Sequence, residues 1–199
     1  MKFNYIVIER EFASGGRDIG KLVADKLNIP CYGREILEKA AERESLSVEY
    51  VEELEEGSTG SFLYSLYKIS GMANGSAGSA TAAEKLNSDE INIIRELALC
   101  GPTVFVGRSA AFALSDKNDV LKVFVHANTD FRIKRACDVY GFEENTVKNI
   151  LKKYDKRRSN YYKMNSGKYW KEINNYDLIL DSSVLGIEKA ASIIAECCK

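Results

Sequence analysis

Phe3-Asn4-Tyr5-Ile6-Val7-Ile8-Glu9-Arg10-Glu11-Phe12-Ala13-Ser14-Gly15-Gly16-Arg17-Asp18-Ile19-Gly20-Lys21 opens the chain with an apolar run, a loop ending in paired glycines, and an amphipathic segment. Phe3 to Ile8 mixes aromatic and β-branched residues without polar alternation, the pattern of a strand buried on both faces. From Asp18 onward Ile19, Leu22, Val23 and Leu27 fall on one helical face, and Asn28 followed by Pro30 stops that helix. The order is therefore strand, loop, helix.

Glycines at such a junction let backbone N–H groups converge on an anion, and the helix N-terminus adds partial positive charge. The same glycines also serve a plain tight turn. Position favours phosphate, because mononucleotide-binding folds place their cradle between the first strand and the first helix. The pattern G-x-x-x-x-G-K-[ST] is not met, since Glu9 and Arg10 stand about where its first glycine belongs and Arg17-Asp18 follows the glycine pair. Ser14, Gly15, Gly16 and Arg17 are the expected phosphate ligands, with Arg17 replacing the usual lysine as a permanent cation. Lys21, one turn on, is a second candidate cation. Asp18 stands near where a magnesium-binding hydroxyl is usual; it either meets phosphate through Mg²⁺ or caps the helix, and capping is preferred.

Further along, Ile29 to Tyr32 reads as a short second strand. Two acidic helices follow over Glu35 to Glu44 and Val48 to Glu56, then a short helix over Phe62 to Ile69. The small-residue segment Gly71 to Ser79 reads as a loop. Asn87 with Glu90 three residues later marks the N-cap of a helix running to Leu99, which Gly101-Pro102 ends. Thr103 to Val106 and Leu121 to Val125 are the third and fourth strands, with a short helix over Ser109 to Leu114 between them. Helices follow over Thr129 to Val139 and Thr146 to Tyr162, then a fifth strand over Tyr176 to Leu180 and a last helix over Ile187 to Cys197. Five short apolar strands separated by helices specify an α/β protein: a five-stranded parallel sheet flanked by helices, with ligands at the carboxyl ends of its strands.

Composition narrows the class. The 199 residues are 45% hydrophobic and 29% charged, with only 2 prolines, so the chain buries a core and forms one domain. Lys plus Arg is 28 against 29 Asp plus Glu, which gives no global pull toward nucleic acid or an anionic membrane. No apolar stretch is long enough to cross a bilayer, and Glu9 to Glu11 interrupt any signal-peptide core, so a cytoplasmic protein is expected. Five cysteines without C-x-x-C spacing suggest reduced thiols, and the lone His126 suggests a structural role at a strand end.

Charge is instead local. Glu35 to Glu56 carries nine acids against Lys39 and Arg43, the composition of a solvated face. Asp130 to Lys171 carries twelve bases against five acids, a net of +7, and within it Arg158 interrupts the apolar stripe of Val147, Ile150, Leu151, Tyr154 and Tyr161. Positive charge that can close over three equatorial phosphoryl oxygens gives such a cluster a purpose. The competing use is single-strand nucleic acid stacked on Tyr161, Tyr162, Tyr169 and Trp170; the acidic stretch argues against it. Gly107-Arg108 at the end of the third strand offers a guanidinium fork for a second phosphate.

These residues together resemble the cytidylate kinase-like family, a divergent branch of the P-loop nucleoside monophosphate kinases. The likeness rests on Ile8 to Lys21, on Val104-Phe105-Val106-Gly107-Arg108, on Asp155-Lys156-Arg157-Arg158 with Tyr161-Tyr162, and on Tyr176 to Ser183. It implies a P-loop NTPase core over 1–32, 96–139 and 173–199, a helical acceptor-binding insertion over 33–95 and a helical lid over 140–172. It also implies transfer of the ATP γ-phosphate to a nucleoside monophosphate, CMP or dCMP first, with Mg²⁺ but no protein metal ligand assigned. On that resemblance Ser14, Gly15, Gly16, Arg17, Asp18 and Lys21 hold the donor nucleotide, Arg17, Arg157 and Arg158 act on the transferred group, and Arg108, Arg132 and Asp155 hold the acceptor. Small-molecule nucleotides are the expected partners. True cytidylate kinases keep Lys and Ser or Thr after the glycines and Asp after Gly-Arg, where this chain has Arg17, Asp18 and Ser109. The alternative is therefore a nucleotide-binding regulatory module that has lost catalysis.

Overall fold

A computed structural model describes residues 1–49 and 82–199. Its strands are β1 (Tyr5–Arg10), β2 (Cys31–Tyr32), β3 (Thr103–Val106), β4 (Val120–His126) and β5 (Leu178–Asp181), all parallel in the order β2-β3-β1-β4-β5. Around them lie α1 (Gly16–Leu27), α2 (Arg34–Arg43), α3 (Ala82–Leu99), α4 (Ala110–Ala113), α5 (Thr129–Tyr140), α6 (Glu144–Ser166), α7 (Ser182–Leu185) and α8 (Ile187–Cys197). The strand order reverses beside β1, which puts a crevice at its carboxyl end.

Alternate β1 residues face opposite layers. Ile6 and Ile8 pack with Val104, Val106 and Val123 against Ile19 and Val23 of α1 and Ala190 and Ile194 of α8. Val7 and Phe105 face the other way, onto Ile36 and Leu37 of α2 and Ile93 and Ile94 of α3. Burial on both faces explains why these strands read as unbroken apolar runs.

Several boundaries differ from those expected. β1 extends past Ile8 because Glu9 and Arg10 remain in register with Phe124 and Val125 of β4. Asn87 is not an N-cap: α3 already runs from Ala82, and the alanines, Glu84, Lys85 and Leu86 before it are good helix formers. Asp18 is not a cap either, because α1 starts at Gly16 with Gly15 as its N-cap. α6 is longer than expected, running to Ser166 before Gly167 at φ 71° ends it. The acidic helix expected after α2, from residue 50 onward, the helix over 62–69 and the small-residue loop over 71–79 lie outside the described residues. No helix among the described residues is long and apolar enough to cross a membrane.

Candidate functional site

A cleft of about 400 Å³ opens at the carboxyl ends of β1 and β3, between the loop Glu11 to Gly15 and α6. Gly15 forms the floor of the bend: φ is +80°, and a Cβ there would run into Ile187 Cδ1, so both backbone conformation and space require glycine. No side chain caps α1, which leaves its first N–H groups directed at the cleft. Ala13 (φ 59°), Arg108 (φ 57°) and Ser109 (φ 48°), all on the cleft wall, are non-glycine residues in the left-handed region. Such conformations cost about 1–3 kcal/mol each and concentrate at functional sites.

The back of the loop is braced by charge. Arg132, on α5 and only 7% exposed, donates through Nε to the Phe12 carbonyl (2.7 Å), through Nη2 to Asp155 Oδ2 (2.6 Å), and pairs through Nη1 with Glu11 Oε2 (3.1 Å). Asp155 of α6 accepts in turn from the Phe12 N–H at 2.8 Å. Glu11 also pairs with Lys171 and accepts from the Ala127 N–H (3.4 Å). Ser14 is fully buried: its Oγ donates to the Glu11 carbonyl (2.9 Å), while its own carbonyl accepts from Ser182 Oγ (2.6 Å). Phe12 stacks on Tyr154 at 4.3 Å between ring centroids, which ties the loop to α6.

The front is lined by arginines: Arg10, Arg17, Arg34, Arg108, Arg157 and Arg158. Arg158 donates from Nη1 to the Arg10 carbonyl (2.9 Å) and lies over the Phe12 ring. Its position in the apolar stripe of α6 thus half-buries a guanidinium beside the loop. Desolvation, and then the neighbouring Arg10 charge, push the Arg158 guanidinium down to about 9. Desolvation likewise lowers Arg10. Two desolvated cations side by side repel one another; the Glu9 and Asp155 charges nearby oppose this, yet burial still lowers both guanidinium groups, and an anion in the cleft would stabilise them further. Arg157 lies over the Tyr154 ring.

Two buried carboxylates face this side. Glu90 of α3, 1% exposed, pairs with Arg108 Nη1 at 3.1 Å and accepts from Tyr161 Oη, fixing Arg108 at the end of β3. Glu9 accepts from Trp170 Nε1 at 3.2 Å; burial raises its carboxyl above the usual range, against the opposing pull of Arg10 and of that bond.

Of the residues expected to act, Gly15, Gly16, Arg17, Arg108, Arg157 and Arg158 meet at the cleft. Ser14 turns its side chain into the loop. Arg132 and Asp155, expected on the acceptor, stand behind the loop with their polar atoms on Phe12, Glu11 and each other. Asp18 pairs with Arg135 of α5, and Lys21 is exposed on α1 away from the cleft wall. Tyr162 and Trp170, which nucleic-acid stacking would need, are buried against Phe124. Sequence reasoning missed Arg10 and Arg34 as cleft residues and Glu90 as the partner of Arg108. The only signal for Arg10 was its place in the glycine pattern.

The chain's residues 5–184 match the model of the cytidylate kinase-like family. No curated protein matches the chain. Among solved structures it is similar to an uncharacterized protein from Eubacterium ventriosum ATCC 27560, at 24% identity and TM-score 0.72, covering 98% of this chain and 97% of that one. It is also similar to shikimate kinase from Bacteroides thetaiotaomicron, at 16% identity and TM-score 0.55, covering 97% and 96%. At these identities the structural likeness shows the fold alone, a five-stranded parallel sheet flanked by helices that this chain shares with that shikimate kinase.

Proposed function

The chain belongs to the cytidylate kinase-like family, and from that premise we propose that it is an ATP-dependent phosphotransferase that moves a γ-phosphate to a nucleoside monophosphate, with CMP or dCMP the first acceptor to test. The observation that carries this is the cleft's charge: six arginines on its wall, two of them desolvated side by side, next to an uncapped helix N-terminus. A solvated basic face would not draw guanidinium groups out of water.

When bound, ATP would supply the transferable phosphoryl group and Mg²⁺ would offset part of its charge. The N–H groups at Gly15, Gly16 and Arg17 suit the donor phosphates. Among the described residues no three His, Cys, Asp or Glu side chains stand together as a metal cage, so Mg²⁺ here would be held chiefly by phosphates and water, as is usual for that ion. Arg108, held at the end of β3 by Glu90, is the acceptor-phosphate cation on this reading. Arg157 and Arg158, on one turn of α6, neutralise the group in transit. The attacking monophosphate is already anionic, so no side chain need remove a proton, and positioning with preorganised charge supplies the rate. Arg132 and Asp155 hold the loop's shape.

The regulatory-module alternative also has an observation behind it, because Asp155 already occupies the Phe12 N–H. Measuring ADP release with CMP, dCMP, UMP, AMP and GMP and with non-nucleotide phosphate acceptors separates the two. Turnover with a pyrimidine monophosphate supports the kinase. ATP binding without ADP release from any acceptor assigns the module, and turnover only with a non-nucleotide acceptor overturns the nucleoside monophosphate.

A further inference from the structure

The phosphate-loop pattern G-x-x-x-x-G-K-[ST] can be set in register on this chain by structure. Gly15, at φ +80°, is the left-handed residue that N-caps α1, so it takes the place of the second glycine. Counting from it, Arg10 occupies the first glycine's position, Gly16 the lysine's and Arg17 the hydroxyl residue's. Three of the four defining positions have therefore changed; of these, the first glycine's has gained a cation and the lysine's has lost it.

Those two changes meet in space. A Cβ built on Gly16 would lie 2.5 Å from Arg10 Cβ and 2.8 Å from Arg10 Cγ, so the Arg10 stem fills the space into which a side chain at residue 16 would leave the backbone. At its far end the Arg10 guanidinium reaches Gly107, where an added Cβ would collide with Nη1. The side chain thus crosses from the end of β1, over the start of α1, to the turn after β3 that carries Arg108. Its backbone is fixed by the β4 register and by the Arg158 bond to its carbonyl. Among the described residues no carboxylate lies within salt-bridge distance of its guanidinium, although Glu9 is close enough to be felt. Arg17, by contrast, projects from α1 as an exposed residue.

We propose that the loop has exchanged its cation: Arg10 supplies the positive charge that a lysine at residue 16 would otherwise bring to the donor phosphates, and Gly16 is glycine because the Arg10 stem lies there. This assignment rests on the phosphotransferase reading above and displaces Arg17 from the lysine's role. Its chemical consequence is a planar fork that stays protonated and can hold two phosphate oxygens at once, placed between the donor loop and Arg108.

ATP binding by calorimetry, with and without Mg²⁺, tests it without reference to turnover, and thermal unfolding reports whether each variant is folded. Arg10→Met, which keeps the stem and removes the charge, should weaken ATP about 10- to 100-fold, the loss of one or two charge-assisted hydrogen bonds. Arg17→Met should cost less than Arg10→Met, because its side chain is exposed and its charge screened. Gly16→Lys alone should lose ATP binding or fold, because its side chain meets Arg10, whereas the exchange Arg10→Gly with Gly16→Lys should recover both. If Arg10→Met binds ATP like the wild type, or Arg17→Met loses more than Arg10→Met, the exchanged cation is wrong. The same follows if the double variant is no better than Gly16→Lys. Should Arg10→Met fail to fold, the double variant alone decides. If the wild type binds no ATP at all, it is the phosphotransferase reading that falls, and the exchange with it.

Discussion

Arg132→Met tests whether the loop owes its shape to the charges behind it. Arg132 is 7% exposed and makes three directed contacts, to the Phe12 carbonyl, Asp155 and Glu11. Methionine keeps most of the stem's packing but removes every donor. Glu11 then retains Lys171 and the Ala127 N–H, whereas Asp155 keeps the Phe12 N–H and the more distant charge of Arg158. Breaking a buried pair in this way costs about 3–5 kcal/mol, most of it from the carboxylate left without its partner. For a chain of this length each kcal/mol moves the midpoint by about 2–4 °C, so a fall of about 6–20 °C is expected. Thermal unfolding followed by circular dichroism, with urea denaturation at a fixed temperature, measures it. Arg132→Lys, which reaches only one of the three partners, should fall between wild type and Met. Asp155→Ala combined with Arg132→Met should cost less than the sum of the two, because the orphaned carboxylate is gone. A loss under about 1 kcal/mol for Arg132→Met, or strict additivity in the double variant, would refute the brace.

Arg108→Ala should weaken a nucleoside monophosphate about tenfold or more while leaving ATP within about threefold. It should also lower stability through the stranded Glu90, a loss that adding Glu90→Gln relieves; calorimetry showing equal loss of both nucleotides in a folded variant would remove Arg108 from the acceptor. Burial raises Glu9 in the folded protein above its ordinary 4.5, so the folded state holds this proton more tightly than the unfolded chain does. Its contribution is complete below pH 4.5 and is lost as pH climbs from there through the folded value. Glu9→Gln should therefore gain stability relative to wild type over that rise, and urea midpoints for the two proteins that stay parallel with pH would exclude it. Burial also pushes Cys31 and Cys198 up to about 11, so iodoacetamide at pH 8 should label exposed Cys100 and Cys197 first; peptide mass spectrometry showing early Cys198 labelling in folded protein would count against its burial.

Most of the fold could be read from the chain because Ile6 to Ile8 of β1 and Val104 to Val106 of β3 are buried apolar runs, and β4 breaks its own run between Val120 and Val125 only at the partly exposed Lys122. Thr103–Val106 and Ile187–Cys197 lie where their patterns put them. Misplacements came where tertiary contacts override a local signal. Glu9 and Arg10 look like the end of a strand in sequence, yet the β4 register carries the strand through them. Asn87 followed by Glu90 looks like a capping pair, yet Glu90 is buried on Arg108 and Tyr161, a role set by residues eighteen and seventy-one positions away. The site was legible as a list of arginines but not as a division among them: nothing local separates Arg132 of α5, with its donors on protein acceptors, from Arg158 of the next helix, α6.

That division has a consequence for binding order. Behind the loop, each carboxylate has a cation: Glu11 with Arg132 and Lys171, Asp155 with Arg132, Asp18 with Arg135. In front, Arg10 and Arg158 lie close together with desolvation lowering both. Neutral back and cationic front make the donor half of the cleft the place where an anion relieves the most repulsion. The acceptor half differs, because Arg108 is already engaged by the buried Glu90. An acceptor phosphate there adds to a satisfied pair instead of filling a deficit, and gains less from the same guanidinium. On the phosphotransferase reading, the donor nucleotide should therefore bind the free protein more tightly than the monophosphate does. The acceptor's affinity should come to depend on contacts to its sugar and base, which is where selectivity among monophosphates has to arise.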